Sequence, residues 1–254
     1  MKRYLPYVAV AVVLLLALAA VPIGAIASAF IGNLPLPDRD ERDGITLVKD
    51  EFVAAYVLDA GPGMVVLIDC GQAPGVVSAE LKKRGLTDDA VAAVFLTHAH
   101  GDHAGGCKAF PKATVWALRD ELPLLHGEAA SKGPLPALMG ADDQGVRGTA
   151  LSDLQSVMVG TVNVQAFAVP GHTAGSAVFY ANHALFFGDS AGADSSGALK
   201  PAPWVFSDDT AQNVAALKAL PGRLDKAGVV VNRLYFGHTA PVEGMDALRT
   251  FAAK

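Results

Sequence analysis

The segment Thr97–Gly106, with the sequence THAHGDHAGG, places three histidines and one aspartate within six residues. It follows an apolar run that predicts a buried strand. In an extended segment, side chains two residues apart point the same way, so His98 and His100 can share one ion. Asp102 and His103 then point elsewhere and can bind a second. Imidazole and carboxylate ligands without thiolate favour zinc, and they also permit iron or manganese.

Three later apolar runs, over residues 162–169, 184–187 and 229–236, also predict strands that end in a candidate metal ligand. The ligands that follow them are, in order, His172, Asp189 and His238. Five of the seven histidines therefore lie directly after a predicted strand. We expect the other two, His126 and His183, to be surface or turn residues.

This succession of motifs resembles the metallo-β-lactamase-fold hydrolase superfamily over about Gly44 to about Ala252, including the strand Met64–Asp69 and the Cys70-Gly71 that follows it. The resemblance implies a four-layer αββα sandwich of the α/β class. It also implies two zinc ions per chain. In that arrangement the first metal is bound by His98, His100 and His172, the second by Asp102, His103 and His238, and Asp189 bridges them. Asp69 would hold the histidine loop; capping the turn at the end of its strand is the alternative.

Such a site predicts a hydrolase in which a hydroxide activated by two zinc ions attacks the substrate, with Asp102 as the catalytic carboxylate that orients it. An aspartate at position 189 resembles the thioesterases, lactonases and phosphodiesterases of the superfamily, whereas its β-lactamases typically have cysteine or serine there. We therefore expect a small ester, thioester or lactone as substrate. The alternatives are a phosphodiesterase or β-lactamase, a mononuclear iron sulfur dioxygenase, and a non-catalytic scaffold.

The first 32 residues contain 25 apolar side chains and no acid. Tyr4–Ile31 is longer than the roughly 20 residues that span a bilayer as a helix, so we expect one transmembrane anchor in residues 1–32. The positive charges of Lys2 and Arg3 predict a single pass through the inner (cytoplasmic) membrane, with the following domain periplasmic or extracellular. Cleavage of a signal near Ala27-Ser28-Ala29, followed by secretion, is the alternative.

After the anchor, residues 33–43 predict a linker, and residues 44–254 predict the catalytic domain, in which strands and helices alternate. The helix-like periodicity with capping residues predicts one of these helices over Asp208–Leu220. Without Lys2 and Arg3 the formal net charge changes from −5 to −7, which argues against nucleic acid as a partner and leaves a small molecule. Cys70 and Cys107 are expected to be buried thiols, although a disulfide is possible. Two long loops, residues 127–148 and 191–204, are candidate substrate-contacting surfaces. The oligomeric state stays open.

Overall fold

The computed structural model describes residues 24, 27 and 29–254. The chain divides into two compact units, Met1–Gly32 and Asn33–Lys254. The predicted anchor therefore lies almost wholly outside the described residues. Within the part of the chain that is described, no helix has both the length and the apolar character needed to cross a bilayer.

Two large sheets form the centre of the second unit. The strands of the first sheet, in chain order and also in spatial order, are Arg39–Arg42 (β1), Ile45–Asp50 (β2), Val53–Asp59 (β3), Val65–Ile68 (β4), Val91–Phe95 (β5), Thr114–Leu118 (β6) and Gly148–Leu151 (β7). The strands β1 to β4 pair antiparallel, and β4 to β7 pair parallel.

The second sheet contains six strands: Ser156–Val159 (β8), Val162–Ala168 (β9), Ala177–Ala181 (β10), Ala184–Phe186 (β11), Arg233–Tyr235 (β14) and Val242–Glu243 (β15). Their spatial order is β15-β14-β11-β10-β9-β8. A separate two-stranded sheet pairs Ala191–Ala193 (β12) with Leu199–Pro201 (β13).

Helices cover the outer faces of both large sheets. They are Val76–Lys83 (α1), Gly101–Ala104 (α2), Leu122–Leu125 (α3), Thr210–Ala227 (α4) and Asp246–Ala252 (α5), with short 3₁₀ helices at Asp88–Ala90, Gly105–Ala109, Arg119–Glu121, Pro136–Leu138 and Trp204–Phe206. The predicted helix over residues 208–220 stops before Pro221, but α4 continues through that residue to Ala227. Asp209 caps its beginning by accepting a hydrogen bond from the Gln212 amide, and Gly228 ends it with a positive φ of 68°.

Side chains alternate between two cores along each strand, which produces the four layers. In β3, Tyr56 packs between the two sheets, whereas Val57 packs outward against the layer that contains α1. In β11, Phe186 packs between the sheets, and Leu185 packs outward in the cluster that contains Leu217 of α4. Because a strand points successive side chains to opposite faces, both faces of each sheet are buried. The fold is therefore the mixed α/β sandwich that the sequence predicts.

Two expectations differ from the structure. Residues 33–43, predicted to be a linker, contain β1, which pairs antiparallel with β2 in the first sheet. Cys70 and Cys107 are buried as predicted, but they form a disulfide, so the expectation of free thiols is wrong. Burial alone could not have separated the two states, because a half-cystine and a free thiol are both small apolar groups.

Candidate metal centre

The predicted ligands meet because the strands that carry them end at one place. The strands β9, β11 and β14 run in the same direction, since β10 is antiparallel to both β9 and β11 and since β14 is parallel to β11. The carboxyl ends of β9, β11 and β14 are followed by His172, Asp189 and His238. The first sheet adds the histidine loop after β5, where the Thr97 carbonyl accepts a hydrogen bond from the Ala177 amide at 2.8 Å.

Three imidazoles form the first group. The Nε2 atom of His172 lies 3.2 Å from Nε2 of His98 and 3.1 Å from Nδ1 of His100. These distances are close to the separation of about 3.3 Å between neighbouring nitrogens in a tetrahedral zinc site. The side chains of His98 and His172 are fully buried. This group can hold one ion.

On each of these three rings, the nitrogen that faces away from the group contacts a hydroxyl oxygen. The pairs are His98 Nδ1 with Thr97 Oγ1 at 3.1 Å, His100 Nε2 with Ser131 Oγ at 3.4 Å, and His172 Nδ1 with Ser207 Oγ at 3.1 Å. Each hydroxyl donates its own proton elsewhere, to Asp69, Asp208 and the Pro203 carbonyl respectively. The outer ring nitrogens must therefore be the donors, which leaves the inner nitrogens as lone-pair ligands.

The second group combines two carboxylates with two imidazoles. Asp189 Oδ1 lies 3.1 Å from His103 Nε2, and Asp189 Oδ2 lies 3.1 Å from His238 Nε2. Asp102 Oδ2 lies 3.3 Å from His238 Nε2. The same Oδ2 atom of Asp189 is 3.6 Å from His172 Nε2 in the first group. Asp189 therefore lies between the two groups, where one carboxylate could contact an ion held by each group.

Two buried polar atoms indicate whether this site suits a metal ion. Among the described residues, His103 Nε2 and Asp189 Oδ1 are buried and make no hydrogen bond of good geometry, although they lie 3.1 Å from each other. Buried polar atoms without a partner are rare and costly, and coordination to a cation would satisfy both. Gly237 keeps the space beside them open, because a Cβ atom there would stand 2.3 Å from Asp189 Oδ1. The residues present fit a bound metal.

The two groups differ in charge. Burial, together with His100, lowers the pKa of His172 to about 3, so the first group consists of neutral imidazoles. Burial acts in the same direction on His238, but the Asp189 carboxylate overcomes it and raises the pKa of His238 to about 10. Asp189 likewise raises the pKa of the buried His103 well above its usual range. A divalent cation would replace the protons of these two rings.

Asp69 makes the contacts expected of a residue that holds the histidine loop. Its carboxylate accepts hydrogen bonds from the Thr97 amide and the Thr97 hydroxyl, both at 2.8 Å. It also lies 2.8 Å from His103 Nδ1. The backbone of Asp69 has a φ of 57°, a conformation that few residues other than glycine adopt. The ring of His103 is thus fixed with its Nε2 atom toward Asp189.

The structure brings all seven predicted ligands together and places the remaining two histidines elsewhere. His126 accepts a hydrogen bond from the Gly148 amide, and His183 lies in a turn beside Tyr180. The residues that sequence reasoning missed are the hydroxyl and carboxylate partners of the ligand loops: Thr97, Glu121, Ser131, Ser207 and Asp208. No local pattern marks them. Only the proposal that the loop 127–148 contacts the substrate pointed toward Ser131.

Comparison with known proteins identifies the family of this chain and two similar enzymes. The profile of the Metallo-beta-lactamase superfamily matches residues 48–238. A hydroxyacylglutathione hydrolase of Cupriavidus taiwanensis is 34% identical over 167 residues, which cover 61% of this chain and 54% of that protein. The hydroxyacylglutathione hydrolase of Salmonella arizonae is 30% identical over 152 residues, covering 58% and 50%. The chain thus spans about half the length of these curated relatives.

Solved structures of similar fold include metallo-β-lactamases. One, described as the first B3 metallo-β-lactamase with an active-site glutamic acid, aligns with a TM-score of 0.65 and 25% identity over 90% of this chain and 91% of the other. Another, BJP-1 from Bradyrhizobium japonicum, a subclass B3 enzyme, aligns with a TM-score of 0.61 over 89% and 93%. At 22% identity the second match shows the shared fold alone.

Proposed function

This chain belongs to the metallo-β-lactamase superfamily, and from that membership we propose that it is a metal-dependent hydrolase of a small ester, thioester or lactone. The observation that carries the proposal is the position of Asp189 between two ligand groups. Its two oxygens lie 3.1 Å from ligand nitrogens of His103 and His238, and one of them also approaches the three-histidine group. A carboxylate so placed suits a centre with two metals.

The ligand roles follow the geometry. His98, His100 and His172 would hold one ion, Asp102, His103 and His238 would hold the other, and Asp189 would contact both. Zinc suits these donors best, and iron or manganese is also compatible with them. Two such ions, when bound, lower the pKa of a shared water and stabilise the negative charge that develops on the substrate oxygen.

Asp102 is the proposed catalytic carboxylate. Its Oδ2 atom lies 3.3 Å from His238 Nε2, so the carboxylate reaches the second ligand group and still has a second oxygen. About a quarter of the Asp102 side chain is exposed, so the carboxylate is accessible to a substrate, whereas the Asp189 side chain is only 11% exposed. In the proposed role Asp102 orients the attacking water and passes its proton to the leaving group.

The names of the relatives favour a thioester or ester among the substrates. The two hydroxyacylglutathione hydrolases described above share 30% and 34% identity with this chain over 152 and 167 residues. A β-lactam is the second candidate, because the B3 metallo-β-lactamase described above aligns over nine-tenths of both chains. The aspartate at position 189 distinguishes the two, since the resemblance associates it with ester and thioester hydrolysis.

A hydrolysis panel tests the proposal on the full chain purified in detergent. The panel contains a lactone, a thioester, a phosphodiester and a β-lactam, each assayed with zinc-loaded and chelator-treated protein. We expect zinc-dependent turnover of the thioester or lactone and two zinc ions per chain. No turnover with two metals bound would indicate a scaffold, and oxygen consumption with one iron and a persulfide would indicate a dioxygenase. The Asp102→Asn variant should lose turnover even at a zinc concentration high enough to restore two ions per chain; full turnover with full metal content would refute its catalytic role.

We also propose that the domain works outside the cytoplasm, tethered by the apolar segment of residues 1–32 or secreted after its cleavage. The disulfide between Cys70 and Cys107 supports this placement, because disulfides persist in oxidising compartments and are rare in the cytosol. Two C-terminal fusions test the orientation, one to a reporter that is active only in the periplasm and one to a reporter that is active only in the cytoplasm. Activity of the cytoplasmic reporter without activity of the periplasmic one would contradict the proposal.

A further inference from the structure

A buried acid that the proposed reaction does not use lies beside the metal centre. Glu121 ends the 3₁₀ helix Arg119–Glu121 directly after β6, and none of its surface is exposed. It is not one of the residues that could ligate the ions. Its sequence context, residues 119–125, predicts only an ordinary helix that begins after a strand.

The carboxylate of Glu121 connects the two loops that carry the three-histidine group. Its Oε1 atom accepts a hydrogen bond at 2.7 Å from the amide of Ala99, the residue between the first two histidine ligands. Its Oε2 atom accepts one at 2.7 Å from the hydroxyl of Thr173, the residue that follows the third histidine. The Gly175 amide donates a further bond to Oε2 at 2.9 Å. One side chain thus accepts hydrogen bonds from both loops.

The second of these loops fits closely against Glu121. A Cβ atom on Gly175 would lie 2.2 Å from the Glu121 amide nitrogen, so only glycine permits this approach. The Ser176 hydroxyl accepts a hydrogen bond from the Thr173 amide at 2.9 Å and lies 2.7 Å from the Thr173 hydroxyl. The Thr173 hydroxyl is therefore directed toward Glu121, and this loop cannot move without breaking bonds to it.

Stability alone gives little reason for a carboxylate at this position. Burial raises the pKa of Glu121 to about 7, against hydrogen bonds from Thr173, Ala99 and Gly175 that favour the charged form. The ion pairs found among the described residues include none with Glu121. A buried carboxylate without a cation has a large desolvation penalty, and apolar side chains often fill such positions at lower cost. The distinctive property of Glu121 is that its two oxygens hold two loops at a fixed distance.

We propose that Glu121 is a positioning residue that sets the separation of the His98/His100 loop from the His172 loop and thereby determines the affinity of the three-histidine group for its metal ion. This inference rests on the proposed two-metal centre but is independent of the substrate. Glu121 acts through the Ala99 and Gly175 amides and the Thr173 hydroxyl, and it is not itself one of the candidate ligands.

Zinc affinity in the Glu121→Gln variant tests the proposal. Glutamine has the same shape but only one acceptor oxygen, so it cannot accept hydrogen bonds from both the Ala99 and Gly175 amides. Titration of the full chain with zinc against a chromophoric chelator yields a dissociation constant for each ion. We expect one ion to bind about 10- to 100-fold more weakly and the other to bind as in the unchanged chain. In a His100→Ala background, where the three-histidine group is already broken, Glu121→Gln should cause no further loss.

Glu80→Gln is the matched control. Glu80 is also a buried glutamate, 5% exposed, but it lies in α1 and pairs with Arg39, Lys83 and Arg84. This variant should lower the melting temperature without changing either zinc affinity. Unchanged zinc binding in Glu121→Gln, or an equal loss for both ions, would overturn the proposal.

Two further measurements distinguish failure of the proposal from misfolding of the variant and from absence of the two-metal centre. If Glu121→Gln does not fold, Thr173→Val removes a single bond to Glu121 and should weaken the same ion to a smaller degree. Unchanged affinity in Thr173→Val would then overturn the proposal. Zinc binding by the unchanged chain tests the two-metal centre itself, so failure of the proposed function can be distinguished from failure of the role given to Glu121.

Discussion

Removal of the disulfide between Cys70 and Cys107 should destabilise the domain mainly by freeing the unfolded chain. The two cysteines are 37 residues apart. For a loop of that length the closure entropy corresponds to about 4 kcal/mol at 25 °C. Both side chains are almost fully buried, so the variant Cys70→Ala/Cys107→Ala leaves a small cavity and adds no polar atom. For a domain of about this size, 1 kcal/mol changes the melting temperature by roughly 2–4 °C, which predicts a decrease of roughly 8–15 °C.

Calorimetry of the metal-free chain measures this decrease without a contribution from zinc. Three samples are needed: the oxidised chain, the same chain with a thiol reductant, and the double alanine variant. Reduction should lower the melting temperature of the unchanged chain to nearly that of the variant, and it should not change the melting temperature of the variant. In urea, the midpoint should fall while the slope rises slightly, because the unfolded chain without the disulfide exposes more surface.

Two results would refute this reasoning. A decrease in melting temperature of less than about 2 °C would mean that the closed loop contributes about 1 kcal/mol or less, against the roughly 4 kcal/mol of the entropic argument. If the double alanine variant is much less stable than the reduced chain, the loss of stability comes from the packing of the cysteine side chains. The bond also lies near the ligands, since the Cys70 amide donates to the His103 carbonyl at 2.8 Å. We therefore expect zinc binding to weaken in the variant as well.

Three further predictions concern the surroundings of the metal. Asp69→Asn should weaken zinc binding about 10- to 100-fold in a chelator competition, because an amide cannot accept all the bonds that the carboxylate receives. Burial raises the pKa of Glu121 from 4.5 to about 7, so the folded metal-free chain binds more protons than the unfolded chain between these values. Its stability should fall by roughly 3 kcal/mol from pH 4.5 to 7, and urea unfolding of Glu121→Gln should lack that part of the pH dependence. Gly175→Ala should lower the urea midpoint and weaken zinc binding at the three-histidine group, because the added Cβ would stand 2.2 Å from the Glu121 amide nitrogen. An unchanged midpoint would contradict the close packing.

The sequence predicts the ligands well because each is local to a strand end. A run of buried apolar residues followed at once by histidine or aspartate is visible without knowing what lies nearby. The same reasoning could not find Glu121, because its partners Ala99 and Thr173 are 22 and 52 positions away along the chain. It could not find Ser131 for the same reason, as the contact with His100 spans 31 positions. Hydrogen bonds of this kind are set by the tertiary fold, and no periodicity encodes them.

The errors in the fold have local physical causes. The charged composition of Arg39–Arg42 resembles a linker, but an edge strand tolerates charges because one of its edges has no partner strand. The helix predicted over residues 208–220 ends just before Pro221, and proline usually ends a helix. In α4, Pro221 lies in the interior of a helix whose buried face continues to Leu224, so tertiary packing overrides the local preference.

The ligands are divided between the two sheets, and this division links metal binding to the packing of the whole domain. His98, His100, Asp102 and His103 follow a strand of the first sheet, whereas the other three ligands follow strands of the second. Direct hydrogen bonds join the sheets beside these ligands. The Tyr56 hydroxyl donates to the Phe236 carbonyl at 2.6 Å, and the Ala54 amide donates to the Gly237 carbonyl at 2.8 Å.

Neither sheet alone can therefore assemble either ion's ligand set. The first group needs His172 from the second sheet, and the second group needs Asp102 and His103 from the first. A metal that binds only the folded arrangement stabilises it by mass action, and it does so through the interface between the sheets rather than through one loop. The same logic explains the acids outside the ligand set. Asp69 fixes the histidine loop within the first sheet, whereas Glu121 connects that loop to the second, so the two carboxylates perform different parts of one task.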